Sequence, residues 1–188
     1  MVRIYTKTGD DGTTGLLYGG RVRKDSTTMQ VNGAVDEAQA MMGLARADAV
    51  PESELDELLI RLERDLYVLM AEVATAPANR RKLKAGVTSV TPEMVAALEA
   101  EIDRLTEQTT LPEEFVVPGQ NRCSAALDLA RTVVRRAERH VGRLAEGTMV
   151  GQYLNRLSDL LWTMARWQEG DTHLASRRAS RTTGAGEH

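Results

Sequence analysis

A single cysteine, Cys123, among 188 residues excludes an intrachain disulfide and any metal site built on several thiolates, and it suits a reducing compartment. Aromatic residues make up only 4% of the chain, with one phenylalanine, Phe115, while Leu, Ala, Met, Glu and Arg are plentiful, a balance that favours helices over sheet. No apolar run of about 18 residues occurs and none follows Met1, so neither membrane spanning nor export is expected, and a cytoplasmic protein is. Charge of one sign is also lacking. The 24 basic and 27 acidic residues leave a net charge of -3, which disfavours nucleic acid or an anionic membrane as partner. Local basic clusters must then serve something smaller. The length favours one compact domain with a sizeable core.

The stretch around which the chain is organised runs over residues 115–139, opening FVVPGQNR and continuing SAALDLARTVVRRAER. At about 100° per residue, Ala126, Leu127, Ala130, Val134, Ala137 and Val141 share one apolar arc. Arg131, Arg135, Glu138 and Arg139 fall on the stripe beside it, whereas Arg136 and Arg143 project roughly opposite the core, toward water. A solvated face with i,i+4 pairing accounts for such arginines. A second account is that Arg131 and Arg135, four residues apart beside an apolar face, converge on one polyanion, because guanidinium forks suit phosphate oxygens.

Residues 1–27 interleave Gly9, Gly12, Gly15, Gly19 and Gly20 with Thr6, Lys7, Thr8, Thr13, Thr14 and Lys24. This leader is not helical. Glycines permit close backbone approach, and hydroxyls, amides and lysines are what a triphosphate needs; a disordered polar leader is the alternative, against which Ile4, Tyr5, Leu16, Leu17 and Tyr18 count as apolar anchors. No GxxxxGK followed by Ser or Thr is present, and GDDG lacks the later ligands of a calcium loop. Helices are expected over about 29–49, from Ser53 with Leu55, Leu58, Leu59, Leu62, Leu66, Leu69 and Val73 as its stripe, from Thr91 and Pro92 as N-cap and first turn, and over 150–168. Asp36 and Glu37 lie in the first of these, and Asn155 in the last offers an amide to an adenine or ribose edge. Residues 76–90 read as an exposed connection, and those from 171 on as a disordered tail. The expected organisation is one helical-bundle domain over 1–170 with the leader appended.

Five motifs in order, IYTKTGDDGTTGLLYGGRVRKD, NGAVDE, FVVPG, ARTVVRRAER and YLNRLSD, resemble the PduO-type ATP:cob(I)alamin adenosyltransferases over roughly residues 4–166. The resemblance implies an all-α five-helix bundle of ferritin-like up-down arrangement with an N-terminal nucleotide-binding loop, assembled as a homotrimer with an active site at each subunit interface. It implies transfer of the 5′-deoxyadenosyl group of ATP to cob(I)alamin, giving adenosylcobalamin and triphosphate. ATP would lie against Tyr5, Thr6, Lys7, Thr8, Gly9, Asp10, Thr13, Thr14 and Gly15, with Lys24 beside them; the neighbouring subunit would bring Arg135, Arg136, Glu138, Arg139 and Asn155. Asp36 and Arg131 look like the pair joining two subunits, and Phe115 like the hydrophobic residue beneath the corrin. Mg²⁺ would accompany ATP, held by phosphate oxygens and water with no dedicated protein ligands. A flavoprotein reductase and an adenosylcobalamin-dependent enzyme are the implied protein partners. One departure is visible: Gln120 stands where the family usually has a second glycine after Gly119.

Cob(I)alamin is itself the nucleophile in such a reaction, so no catalytic Ser, Cys or His is required and none is evident. Charge building on the triphosphate would be met by Lys7, leader amides, Lys24, Arg135 and Mg²⁺. Neither His140 nor the two histidines of the presumed tail, His173 and His188, reads as a cobalt ligand. A non-catalytic ATP sensor would use the same leader and arginines, with corrinoid turnover as the discriminating property. A carboxylate-bridged di-iron bundle wants Glu-x-x-His pairs, which the sequence lacks.

Overall fold

The computed structural model describes Tyr5, residues 7–172 and 174–176. Its main elements are five α-helices, α1 (Thr27–Ala47), α2 (Glu54–Val73), α3 (Pro92–Gln108), α4 (Arg122–Val141) and α5 (Val150–Glu169), preceded by two short strands, β1 (Thr13–Gly15) and β2 (Arg21–Arg23). Helix α4 is central: it packs along α1 on one side and α5 on the other, while α2 covers α1 and α3 covers α5. Alanines make this closeness possible. Ala34, Ala38 and Ala45 on α1 and Ala126, Ala130 and Ala137 on α4 are all buried, so neither backbone is held off by long side chains.

The helix boundaries follow from local chemistry. Ser53 caps α2 by accepting from the Asp56 amide at 3.3 Å, and Thr91 caps α3 by accepting from Met94 N–H at 3.3 Å, with Pro92 at the first turn where its missing donor costs nothing. At the head of α4, Asn121 and Ser124 form a reciprocal capping box, at 2.8 Å and 3.3 Å. Asn121 also donates to the Gln168 carbonyl at 3.0 Å, pinning the head of α4 to the end of α5. Helix α4 terminates at Gly142, whose φ of 37° lies in the region a side chain disfavours. All seven stripe residues of α2 are buried, each contributing about 1.5–3 kcal/mol through burial.

Three expectations need revision. The leader contains a hairpin: β1 pairs antiparallel with β2, Thr13 opposite Arg23 and Gly15 opposite Arg21. The connection at 76–90 does more than link helices. Pro77–Lys82 forms a 3-10 helix whose Asn79 donates to the carbonyls of Tyr18 and Gly19 at 3.2 and 3.3 Å, and Leu17 N–H donates to Ala74 O at 2.9 Å, so the hairpin's loop is tethered to the end of α2. Part of the stretch expected as a tail from 171 has defined backbone structure. Gly170–Thr172 is a 3-10 turn, and Val117 N–H donates to Leu174 O at 2.8 Å while Ser176 N–H donates to Phe115 O at 2.7 Å. His173 and residues 177–188, the remainder of that expectation, lie outside the described residues, as do residues 1–4 and Thr6.

Candidate functional site

The leader is shaped by Arg21. Its guanidinium donates to Thr8 O at 2.5 Å and to Thr13 Oγ1 at 2.6 and 2.9 Å, and lies 3.6 Å from Asp11 Oδ1. Asp11 closes the turn by accepting from Thr13 N–H at 2.9 Å and Thr13 O–H at 2.8 Å, and these bonds, with the nearby Arg21 charge, hold its carboxyl below the ordinary aspartate range. Lys24 folds back over Gly9, since a Cβ there would stand 3.2 Å from Lys24 Nζ and 3.0 Å from Thr13 O. Space at Gly9 is thus tight for any side chain, and the Lys24 ammonium lies over the leader there. Lys7, with φ of 58°, carries its ammonium 5.9 Å from the Tyr5 ring centre. Asp10 and Gly15 are exposed and Thr14 is half-buried.

Helix α4 divides its charges between two neighbouring helices and solvent. Arg136, expected to face water, instead donates to Glu37 on α1. Glu138 turns the other way and accepts from Asn155 Nδ2 of α5 at 2.9 Å, while Asn155 Oδ1 accepts from Arg156. Between them lie Arg135 and Arg139, both exposed and, among the described residues, without an ion pair or hydrogen bond. Arg131 sits lower on the same stripe, its side chain 28% exposed, with Nε 3.4 Å from Asp128 Oδ1. Asp36 is exposed on α1 with no partner among the described residues of its own chain.

Below Arg131 is a buried ion cluster. Arg166 of α5, 2% exposed, donates through Nη2 to Asp128 Oδ2 at 2.6 Å and to Glu169 Oε1 at 3.0 Å, with its Nε 2.9 Å from Glu169 Oε2. Its guanidinium carbon is 5.7 Å from the centre of the Trp162 ring. Trp162 in turn lines a cavity of about 420 Å³ together with Pro112, Glu113, Glu114, Phe115 and Ser176. Phe115 stands 88% exposed at the edge of that cavity, on the loop that leads through Pro118 and Gly119 into α4. A phenylalanine plugging the end of a bundle would be covered. Gly119 has φ of 111° and Gln120 has no positive φ, so glutamine in place of the second glycine is accommodated without strain.

A glycine- and threonine-rich leader held by Arg21, two exposed arginines on α4 and an exposed phenylalanine beside a cavity thus stand in one chain. The family described as cobalamin adenosyltransferase matches residues 4–168. The chain belongs to that family. A corrinoid adenosyltransferase of Citrobacter freundii is 41% identical over 173 residues, covering 90% of this chain and 96% of that protein, and one of Bacillus subtilis is 36% identical over 172 residues, covering 88% and 86%. Among solved structures, a variant PduO-type ATP:corrinoid adenosyltransferase from Lactobacillus reuteri complexed with cobalamin and ATP superposes with a TM-score of 0.80 at 25% identity, covering 94% of this chain and 100% of that one. A second variant of that enzyme, also complexed with cobalamin and ATP, gives 0.77 at 28% identity, with coverage of 88% and 90%.

Within one chain of this family member the expected site residues form separate groups. Lys7, Thr8, Gly9, Thr13 and Lys24 are gathered on the hairpin, Glu138 and Asn155 are bonded to one another, and no hydrogen bond or ion pair joins Lys7 or Lys24 to α4 among the described residues. Asp36 and Arg131 are not paired within the chain. The sequence reading missed Arg21, Asp128 and Arg166. Arg21 carried a signal, standing eight residues after Thr13 in an alternating RVR; Arg166 did not, because an arginine at a helix end reads as solvated.

Proposed function

We propose that this chain transfers the 5′-deoxyadenosyl group of ATP to cob(I)alamin, forming adenosylcobalamin and inorganic triphosphate. The observation that carries this reading is Phe115: an 88% exposed phenylalanine beside a cavity of about 420 Å³, on the loop that leads into the arginine helix α4. The electron pair of cobalt(I) attacks the ribose 5′ carbon, the cobalt–carbon bond forms, and the bond from that carbon to the triphosphate oxygen breaks with its electron pair on the leaving group. The chain's part is to position and to neutralise. Lys7, Lys24 and the leader amides meet the phosphates, Arg135 and Arg139 approach them from a neighbouring subunit, and Asn155 with Glu138 borders the nucleoside. Tyr5, Thr6, Thr8, Gly9, Asp10, Thr13, Thr14 and Gly15 complete the nucleotide loop. Phe115 walls the lower face of cobalt against an axial ligand.

The proposal includes a homotrimer of up-and-down five-helix bundles, each site shared by two subunits, with Asp36 of one and Arg131 of the next forming an ion pair. Two features support it: Asp36, Arg135 and Arg139 are exposed and without a partner among the described residues, and Leu44 and Leu129 leave an apolar groove between α1 and α4, flanked by Asp48 and Arg122. Mg²⁺ would lend charge to the triphosphate. In this reading the ion is carried in on phosphate oxygens and water, since Mg²⁺ seldom takes a full protein cage. The same reading has one domain over 1–170 with 1–27 as its ATP-binding loop, acting in the cytoplasm beside a flavoprotein reductase and an adenosylcobalamin-dependent enzyme. No helix among the described residues is long and apolar enough to cross a membrane.

The test is anaerobic incubation with MgATP and chemically reduced cobalamin. The adenosylcobalamin spectrum should appear with one triphosphate released per turnover. ATP binding without either product would leave a nucleotide sensor and end the proposal.

A further inference from the structure

The Asp128 carboxylate faces two arginines: buried Arg166 at 2.6 Å from Oδ2 and half-buried Arg131 at 3.4 Å from Oδ1. Arg166 does not need it for charge balance. Glu169 already faces that guanidinium through both oxygens, at 3.0 Å and 2.9 Å, and its side chain is fully buried. Asp128 is therefore a second buried carboxylate whose negative charge remains for Arg131. Its geometry agrees, because Asp128 Oδ1 and Arg131 Nε are both buried with no hydrogen bond, so they are held near one another by charge and not by an aligned bond. Only the Nε edge of Arg131 is engaged in this way, leaving its two terminal nitrogens free among the described residues to meet an acceptor beyond the chain.

We propose that Asp128, braced from below by Arg166, is a positioning residue that orients Arg131 toward the subunit-shared site. The inference rests on the placement of Arg131 in that site. Arg166 is fixed by Glu169 and by the Trp162 ring, and Trp162 also lines the cavity of Phe115. The bracing therefore runs in a continuous chain of contacts from the corrinoid cavity to the arginine stripe, and it needs no motion to operate. A small shift of a positioned charge can cost about 100-fold in rate, whereas loss of an unrelated buried ion pair is felt as stability alone.

The test is a double-mutant cycle on the full chain, read in kcat at saturating MgATP and reduced cobalamin, with single-turnover times long enough for slow variants. Asp128→Asn keeps the shape and removes the charge. In the parent it should lower kcat by roughly 10-fold or more, while in an Arg131→Ala background it should lower it by less than about 2-fold, since a residue acting through Arg131 has nothing left to orient. Arg166→Lys, which retains the buried charge and the Glu169 contact but not the fork, is the second arm should Asp128→Asn not fold. It should couple to Arg131 in the same sense. Equal loss in both backgrounds would mean that the cluster serves the fold only and would overturn the inference while leaving Arg131 in the site. Parental turnover by Arg131→Ala alone would instead refute the placement of Arg131, and the inference with it.

Discussion

Replacing Phe115 with alanine separates a wall from a plug by magnitude. With 88% of the residue exposed, about 12% is covered, and for a side chain of roughly 200 Å² that is on the order of 25 Å² of apolar area, or about 0.6 kcal/mol. At about 2–4 °C per kcal/mol for a chain of this size, the melting temperature should fall by about 1–3 °C. A covered core phenylalanine would cost about 3–5 kcal/mol and shift melting several times further. Turnover from cob(II)alamin with MgATP and a reductant should nevertheless collapse, because an axial ligand returns to cobalt and makes reduction harder. Thermal melts monitored by circular dichroism, ATP titration and paramagnetic resonance read the three quantities independently. Phe115→His sharpens the comparison by offering an imidazole where none should bind. A four-coordinate cobalt signal that persists in both variants, with a melting point depressed by 6 °C or more, would refute the wall and restore the plug.

Asp36→Ala should reduce activity or trimer content, measured by turnover and by sedimentation; if neither changes, the intersubunit pair is absent. The charge exchange Asp36→Arg with Arg131→Asp should restore less than the parental rate, because a carboxylate at position 131 would then face Asp128, and full restoration would contradict the Asp128–Arg131 contact. Arg21→Met removes three hydrogen bonds from the leader and should raise KM for ATP about 5-fold, roughly 1 kcal/mol, with faster hydrogen exchange over residues 7–15; unchanged exchange would show that the leader is held by something else. Truncation after Ser176 should spare turnover, while truncation after Asp171 removes both backbone bonds to the Phe115 loop and should lower turnover from cob(II)alamin, with ATP affinity kept. The Asp56 carboxyl is held below its ordinary range by the Glu52 amide and by Arg46, so its contribution is complete above about pH 4 and lost as pH falls through the folded value. The melting difference between the parent and Asp56→Asn should therefore narrow below about pH 4; a constant difference would mean the charge is not what matters.

The helices were legible because their signals are local. Ser53, Thr91 with Pro92, and the leucine stripe of α2 each act within a few residues, and all stand where the spacing places them. What the sequence concealed depends on distant partners. Arg136 points away from the core on a helical wheel, yet α1 supplies Glu37 from 99 positions away, and a wheel drawn for one helix cannot show the neighbour that covers its flank. Arg166 was hidden for a related reason: hydrophobic periodicity assigns an arginine to water, whereas Glu169, facing the guanidinium through both oxygens, makes burial tolerable. The hairpin escaped because each strand has three residues, too few for a period, and its loop contains the left-handed Tyr18, with φ of 63°, which the sequence offered only as an apolar anchor. The exposure of Phe115 was not legible, since a lone aromatic between prolines could equally have been core.

Because α4 is the helix that covers α1, the order in which the chain emerges from a ribosome matters. Helix α1 ends at residue 47 and α4 begins at residue 122. At roughly 5–20 residues per second, on the order of 4–15 s pass between synthesis of the two. During that interval Val31, Ala34, Val35, Ala38, Met42 and Ala45 lack their principal cover, and α2 shields α1 only from one side. The nascent chain thus carries an apolar ridge through the middle third of its translation, and its yield in a host cell should respond to holding chaperones more than its small helical elements alone would lead one to expect.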